Sequence, residues 1–225
     1  IAEGNGGDGI KIENYEAGSN LPVTISSSMF NGNSQNGLAI ASRGAITLTN
    51  VSAIDNIAGV GVALNNWIGG NTGVTIRSTS TATFYDFNNN GLNGIYILSY
   101  GAVSVGNVTA NENGNYGLNI DRNGGTGAIS LTRGTFDHNT FGGVRIYTTP
   151  FGVTLTDVTA SYNDPVIGGT EYSGVYIENG GTVIVKSSTT SAMYEFSYNT
   201  DHGLDIISTG SISVSNVVAE GNGNT

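Results

Sequence analysis

Short runs in which apolar and polar residues alternate dominate this chain, and they recur. After a glycine the pattern reads Gly37-Leu38-Ala39-Ile40, Gly94-Ile95-Tyr96-Ile97, Gly117-Leu118-Asn119-Ile120 and Gly203-Leu204-Asp205-Ile206. A period of two predicts a half-buried β-strand, with Leu and Ile inward and the residue between them outward. A second set of runs is Val23-Thr24-Ile25, Ile46-Thr47-Leu48, Val103-Ser104-Val105, Val153-Thr154-Leu155 and Ile212-Ser213-Val214. A third leads into a small residue, as in Asn50-Val51-Ser52-Ala53 and Asn107-Val108-Thr109-Ala110. Runs this short, joined by Gly and Asn turns, cannot pair within one repeat. They are expected to pair with the same strand of the next repeat, roughly 4.8 Å along an axis.

The third run carries the clearest signal. Ala2, Phe30, Ala53, Phe87, Ala110, Phe136, Ala160, Phe196 and Ala219 alternate without a miss, and an Asn follows each three residues later: Asn5, Asn33, Asn56, Asn90, Asn113, Asn139, Asn163, Asn199 and Asn222. The repeat glycines Gly9, Gly37, Gly61, Gly94, Gly117, Gly143, Gly174 and Gly203 are 23 to 33 residues apart. A period in that range is the signature of a solenoid. Phe alternating with Ala reads as large–small interdigitation along a stacked core. The Asn reads as a turn residue tolerant of positive φ, whose amides stack in a ladder.

A longer period underlies the short one. Ser78–Phe87 and Ser187–Phe196 are Ser/Thr-rich insertions ending in Phe-Tyr-Asp-Phe and Met-Tyr-Glu-Phe, 196 − 87 = 109 residues apart. Ala2 to Ala110 is 108 residues and Phe30 to Phe136 is 106. The chain therefore reads as one solenoid, 1–225, of about eight rungs of three short strands, built as units 1–109 and 110–219. Ala2-Glu3-Gly4-Asn5-Gly6 returns as Ala219-Glu220-Gly221-Asn222-Gly223, and Ile1 and Thr225 both fall within a repeat. That suggests a segment of a longer array without terminal caps, and stacking of such units head to tail.

Composition narrows the partners. Net charge is −10 with only seven Lys and Arg, too few for a stripe that tracks phosphates, so nucleic acid and anionic membrane surfaces are not expected. No apolar run approaches the ~18 residues of a membrane span. The absence of Cys excludes a disulfide scaffold and thiolate chemistry. No cofactor or metal is expected: Gly6-Gly7-Asp8-Gly9 is similar to a calcium-binding nonapeptide repeat but stands alone, whereas such sites need tandem copies.

Asn-x-x-x-Gly-apolar-x-apolar on coils of this length resembles the right-handed parallel β-helix of the pectate-lyase-like superfold, which includes pectinases, phage tailspikes and bacterial surface proteins. The resemblance covers nearly the whole chain and implies an all-β fold. It says little of activity, since that fold hosts lyases, hydrolases, adhesins and inert stalks. It also implies that any carbohydrate groove lies on the outward face of the Gly-apolar-x-apolar strands. There the chain places Lys11, Ala39, Ala63, Tyr96, Asn119, Arg145, Tyr176 and Asp205, beside Glu13, Ala41, Asn65, Leu98, Asp121, Tyr147, Glu178 and Ile207.

Asp121, Glu178 and Asp205 supply carboxylates for acid and base, Arg145 a cation for a uronate, and Tyr96, Tyr147, Tyr176 and the loop residue Trp67 platforms for sugar rings. The competing reading is a solvated face of self-neutralising pairs. Two fragments resemble polygalacturonase motifs, Asn199-Thr200-Asp201 with Gly203 and Val144-Arg145-Ile146, but their order is reversed and position 147 is Tyr. The motifs that should lie between them are missing, so they read as coincidence. A Thr/Ser array on the second run is similar to an ice-binding face, broken by Arg77, Gly106, Ile184 and Lys186. Asn50 and Asn107 stand in glycosylation sequons. Longer insertions at Tyr15–Pro22, Asn65–Gly73, Tyr147–Gly152 and Asp164–Tyr172 carry aromatics and are candidate binding loops. The expectation is a non-enzymatic structural or adhesive segment of a large extracellular surface, stalk or filament protein, with itself or glycans as partner. The alternative is a carbohydrate-binding or polyuronate-cleaving β-helix.

Overall fold

A computed structural model describes residues 1–225 except 17, 19, 67–71, 81–84, 123–124, 149–150, 164–172, 190–193 and 224–225. Trp67 and the whole Asp164–Tyr172 insertion thus lie outside the described residues. Among the described residues every regular element is a strand. The first sheet holds the runs that follow the repeat glycines: Ile10–Asn14, Leu38–Ser42, Val62–Asn66, Ile95–Ser99, Tyr116–Arg122, Gly142–Thr148, Val175–Asn179 and Leu204–Ser208. The second holds Val23–Met29, Ile46–Ser52, Val74–Arg77, Val103–Thr109, Ile129–Thr135, Val153–Thr159, Val183–Lys186 and Ile212–Ser215, with Tyr85–Asp86 beside Val103–Thr109.

Every pairing is parallel and joins one rung to the next, so the chain winds through about seven full turns as an all-β parallel β-helix. The register follows the repeat: Leu38 faces Val62, Val62 faces Ile95, Ile95 faces Leu118, and Leu118 faces Val144. A slip of one residue would turn each Leu and Ile outward, so this interior pins the register.

In five rungs the second and third runs join into one seven-residue strand, and in the last they stay apart at Asn216 as Ile212–Ser215 and Val217–Val218. The joined strand bends at a single left-handed residue: Ser27 (φ 49°), Asn50 (56°), Asn107 (56°), Arg133 (52°) or Asp157 (59°). In the two insertion rungs the third run stands apart as Tyr85–Asp86 and Tyr194–Glu195. Both insertions open with the same hydrogen bonds. Thr79 N–H donates to Asn50 Oδ1 (2.9 Å) and Ser188 N–H to Asp157 Oδ1 (2.6 Å). Ser80 N–H donates to Ser78 Oγ (3.0 Å) and Thr189 N–H to Ser187 Oγ (3.3 Å).

Inside, Phe30, Phe87, Phe136 and Phe196 are all but fully buried, as are Ala53, Ala110 and Ala160 between them. In the rungs without Ser/Thr-rich insertions the large–small alternation is doubled two residues earlier. Ala rungs carry Val51, Val108 and Val158, whereas Phe30 and Phe136 follow Ser28 and Gly134. A Cβ on Gly134 would lie 2.5 Å from Cε2 of Phe136, so the glycine clears the space the ring fills.

The nine Asn form an unbroken row. In each link the backbone N–H and side-chain amide of one Asn both donate to Oδ1 of the next, from Asn5→Asn33 (3.1 and 2.8 Å) to Asn199→Asn222 (2.9 and 3.1 Å). The intervening links repeat this geometry through Asn56, Asn90, Asn113, Asn139 and Asn163. The side chains lie inside, with Asn33, Asn56, Asn139 and Asn163 at 0 % exposure. The ladder is as expected, but the left-handed residue is not the Asn. It is the residue before it: Gly4, Gly32, Asp55, Asn89, Glu112, His138, Tyr162, Tyr198 and Gly221 all have φ between 55° and 66°. The corner is made one position early so that the Asn can turn inward and donate along the axis. The repeat glycines fit the same arrangement: a Cβ on Gly37 would meet Gly61 O and Phe30 O at 2.6 Å and Asn56 Nδ2 at 2.8 Å.

Candidate functional site

The outward face of the first sheet has two different halves. Both outward columns fall in the expected register: Lys11, Ala39, Ala63, Tyr96, Asn119, Arg145, Tyr176 and Asp205, beside Glu13, Ala41, Asn65, Leu98, Asp121, Tyr147, Glu178 and Ile207. The candidate residues Asp121, Arg145, Glu178, Asp205, Tyr96, Tyr147 and Tyr176 therefore share one surface.

In the C-terminal half that surface is interleaved rather than focused. Tyr147 separates Asp121 from Glu178 in one column, and Tyr176 separates Arg145 from Asp205 in the other. Two rungs at ~4.8 Å put like positions about 9–10 Å apart. That is far beyond the ~5–5.5 Å of a retaining glycosidase pair and at the outer limit of an inverting pair. Arg145 donates to Asn119 Oδ1 (3.4 Å), and its guanidinium lies 5.6 Å from the Tyr147 ring centroid. Tyr176 is only 5 % exposed although it points outward, and its hydroxyl donates to Glu178 Oε2 (2.9 Å). Asn119, Arg145 and Tyr147 are thus engaged with one another, as are Tyr176 and Glu178.

A concavity lies in the other half. Ala39, Ala41 and Ala63 leave a trough of about 240 Å³ between the exposed Lys11–Glu13 ion pair (2.8 Å) and the ring of Tyr96, with Asn65 alongside. Burial pushes the Tyr96 hydroxyl above the ordinary phenol range, Asp121 adds to this, and Arg145 opposes it. An aromatic wall, a small-residue floor and a charged pair at the far end can hold one ring-sized polar molecule. The signal was a run of small residues in one column, easily passed over in favour of the charged positions.

Other sequence features take structural roles. Asp8 Oδ1 accepts from the backbone and side chain of Asn36 (3.0 and 2.9 Å), and Asn199 belongs to the ladder. Among the described residues no group of three or more His, Cys, Asp or Glu is placed to hold a metal. Among the two sequons, Asn107 is 8 % exposed, and the Asn50 side-chain amide donates to Thr79 Oγ1 (2.9 Å). Among the described residues no helix is long and apolar enough to cross a membrane.

A second surface feature escaped the sequence reading. At the left-handed corner before the ladder, His138 stacks on Tyr162 (centroids 5.2 Å, 11°) and Tyr162 on Tyr198 (5.0 Å, 13°). The same corner in earlier rungs holds Asp55, Asn89 and Glu112. Compared with family models, curated proteins and solved structures, the chain finds no match.

Proposed function

We propose that this chain is a non-enzymatic structural and adhesive β-helix segment of a large extracellular surface, stalk or filament protein. The observation that carries the proposal is the continuous Asn row beside the alternating Phe/Ala core. Both are periodic along the axis and both serve rigidity, whereas Asp121 and Glu178 on the outward face are separated by Tyr147, and Glu178 is engaged by the Tyr176 hydroxyl. Such a rod extends by adding rungs of the same kind. In a head-to-tail stack, Asn222 would offer its N–H and amide to Asn5 Oδ1 of the next unit, the link used eight times within the chain. The joint would set Ala219 against Ala2, the one place where the alternation lapses. Electron microscopy and sedimentation of the chain test this: rods that lengthen with concentration support stacking. A monomer at all concentrations overturns it.

The Ala39–Ala63–Tyr96 trough favours a second reading, glycan binding. Tyr supplies a flat apolar platform with a polar edge, and Lys11 a cation for an acidic sugar. A glycan array read with wild type and Tyr96→Ala tests binding, and a uronate-cleavage assay with Asp121→Ala and Glu178→Ala tests catalysis. Cleavage lost in those two variants would replace the structural reading with an enzymatic one.

A further inference from the structure

The stacked aromatic corner is unexplained by a purely structural role. A non-Gly left-handed residue is unfavourable, and Gly, Asp or Asn serves this corner most cheaply. The chain uses Gly4, Gly32, Asp55 and Asn89 there, yet places His138, Tyr162 and Tyr198 in three successive rungs. The two Tyr rings are 47 % and 46 % exposed, lie nearly parallel, and their centroids are 5.0 Å apart. The Tyr198 hydroxyl donates to Glu220 Oε1 (3.1 Å). Gly221 allows this placement, since a Cβ there would lie 2.6 Å from Tyr198 Cδ1.

We propose that Tyr162 and Tyr198 form an oxidative cross-linking site, in which a peroxidase with hydrogen peroxide joins the rings as a dityrosine that staples adjacent rungs. The chemistry balances without further reactants. Each phenol loses one electron to the peroxidase and its hydroxyl proton. The Tyr198 proton passes to the Glu220 carboxylate already bonded to it, and the Tyr162 proton to water. The two phenoxyl radicals couple through their ortho carbons to form one C–C bond. Both ortho hydrogens then leave as protons and the phenolic oxygens are reprotonated. The net loss is two hydrogen atoms, and the peroxide accepts two electrons and two protons to become two waters.

The arrangement favours this pair over other tyrosines for three reasons. Stacking holds the second ring where the first radical forms, and half-exposed rings rock on sub-nanosecond timescales, so the ortho carbons meet while the radicals persist. Glu220 removes the proton as the electron leaves. Solvent access admits the oxidant. Tyr176 is a control for the last point, since it too donates to a carboxylate, Glu178, but is 5 % exposed. The bond would close a loop whose ends, Tyr162 and Tyr198, are 198 − 162 = 36 positions apart. Closing a loop of that length removes conformational freedom from the unfolded chain, as a disulfide does.

The test treats the full chain with horseradish-type peroxidase and dilute hydrogen peroxide, followed by proteolysis and mass spectrometry. The expected product is a cross-linked peptide pair containing Tyr162 and Tyr198, lighter than the two peptides together by two hydrogens. It should be absent in Tyr162→Phe and Tyr198→Phe, form several-fold more slowly in Glu220→Gln, and raise the melting temperature of the treated wild type. Both Phe variants keep the ring stack, and far-ultraviolet circular dichroism verifies their fold. Cross-links that are only intermolecular, that join other tyrosines, or that persist in Tyr198→Phe would overturn the proposal. So would a folded wild type whose Tyr162 and Tyr198 remain unmodified while other tyrosines react.

Discussion

The N-terminal and C-terminal halves of the coil share an interior and differ outside. Inside, Phe30 corresponds to Phe136, Phe87 to Phe196, and Asn56 to Asn163, with the same burial and the same ladder bonds. Outside, the first sheet shows Ala39 and Ala63 over an open trough in one half, and Arg145 and Tyr176 in an occupied surface in the other. The corner column shows Asp55 and Asn89 in one half and Tyr162 and Tyr198 in the other. The stacked interior fixes side-chain size and hydrogen bonding on every rung. The exterior has only to remain strand-compatible, so differences between the halves accumulate there.

If the interiors are equivalent, matched core truncations should cost the same. Phe136→Ala removes a fully buried ring held between Ala110 and Ala160, neither of which can fill the space. A loss of about 3–5 kcal/mol is expected for it and for Phe30→Ala. Ala110→Phe should also destabilise, by about 1–3 kcal/mol, through overpacking. Denaturant titration of the three variants checks this. A difference of more than about 1 kcal/mol between the two truncations would break the equivalence of the halves.

The ladder supplies the next effect. Asn163→Ala deletes the oxygen that accepts Asn139 N–H and its side-chain amide, stranding two buried donors. At about 1–3 kcal/mol per buried group, Asn163→Ala and Asn56→Ala should each lose about 2–4 kcal/mol. Asn163→Asp keeps an acceptor but brings a charge into the row. It should be tolerated only at acid pH, which separates loss of the bond from loss of packing.

The ladder and core were legible in sequence because stacking forces the same residue type at the same place on every rung. Phe and Ala alternate visibly, and every Asn recurs three residues later. The left-handed corner was not legible, because the position that adopts it holds Gly, Asp, Asn, Glu, His or Tyr and so carries no single letter. The backbone there is set by the inward turn of the following Asn, not by local preference. The trough was hidden for a related reason. It arises from what Ala39, Ala41 and Ala63 lack, and only the cross-rung register places those absences together.

A smaller difference between the halves lies two residues before the ladder, where Asn31 stands in one and Asp137 in the other. Asn31 Oδ1 accepts Ile54 N–H (3.1 Å), and Asp137 Oδ1 accepts Ser161 N–H (2.7 Å). Burial pushes the Asp137 carboxyl above its usual range and Glu195 adds to the rise, against the Ser161 bond and His138. A raised folded-state pKa means that the folded chain holds this proton more tightly than the unfolded chain. Stability attributable to Asp137 is therefore highest below the ordinary carboxylate pKa, falls as pH rises through the folded value, and stays lower at neutral pH. Asp137→Asn keeps the acceptor and removes the titration. It should be more stable than wild type at pH 7 and equal to it in acid, as read by melting temperature against pH. A constant gain at all pH values would mean that the effect is packing.

The outward face should give the smallest stability change and the sharpest functional one. Ala63 and Tyr176 lie in the same column, one on the floor of the open trough and the other in the filled half. Ala63→Tyr places a ring beside Tyr96 in space that is already open to solvent. Its effect on stability should stay within about 0.5 kcal/mol, as for surface changes that touch no buried group. The trough disappears all the same, so any glycan held there is lost. Tyr176→Phe deletes the hydroxyl bonded to Glu178 and leaves the trough untouched, so it should cost stability without changing glycan binding. Melting curves and a glycan array on the two variants separate these outcomes. Binding that survives Ala63→Tyr and falls in Tyr176→Phe would move the ligand site to the C-terminal half, and with it the Asp121, Arg145, Glu178 and Asp205 surface would become the working face of the rod.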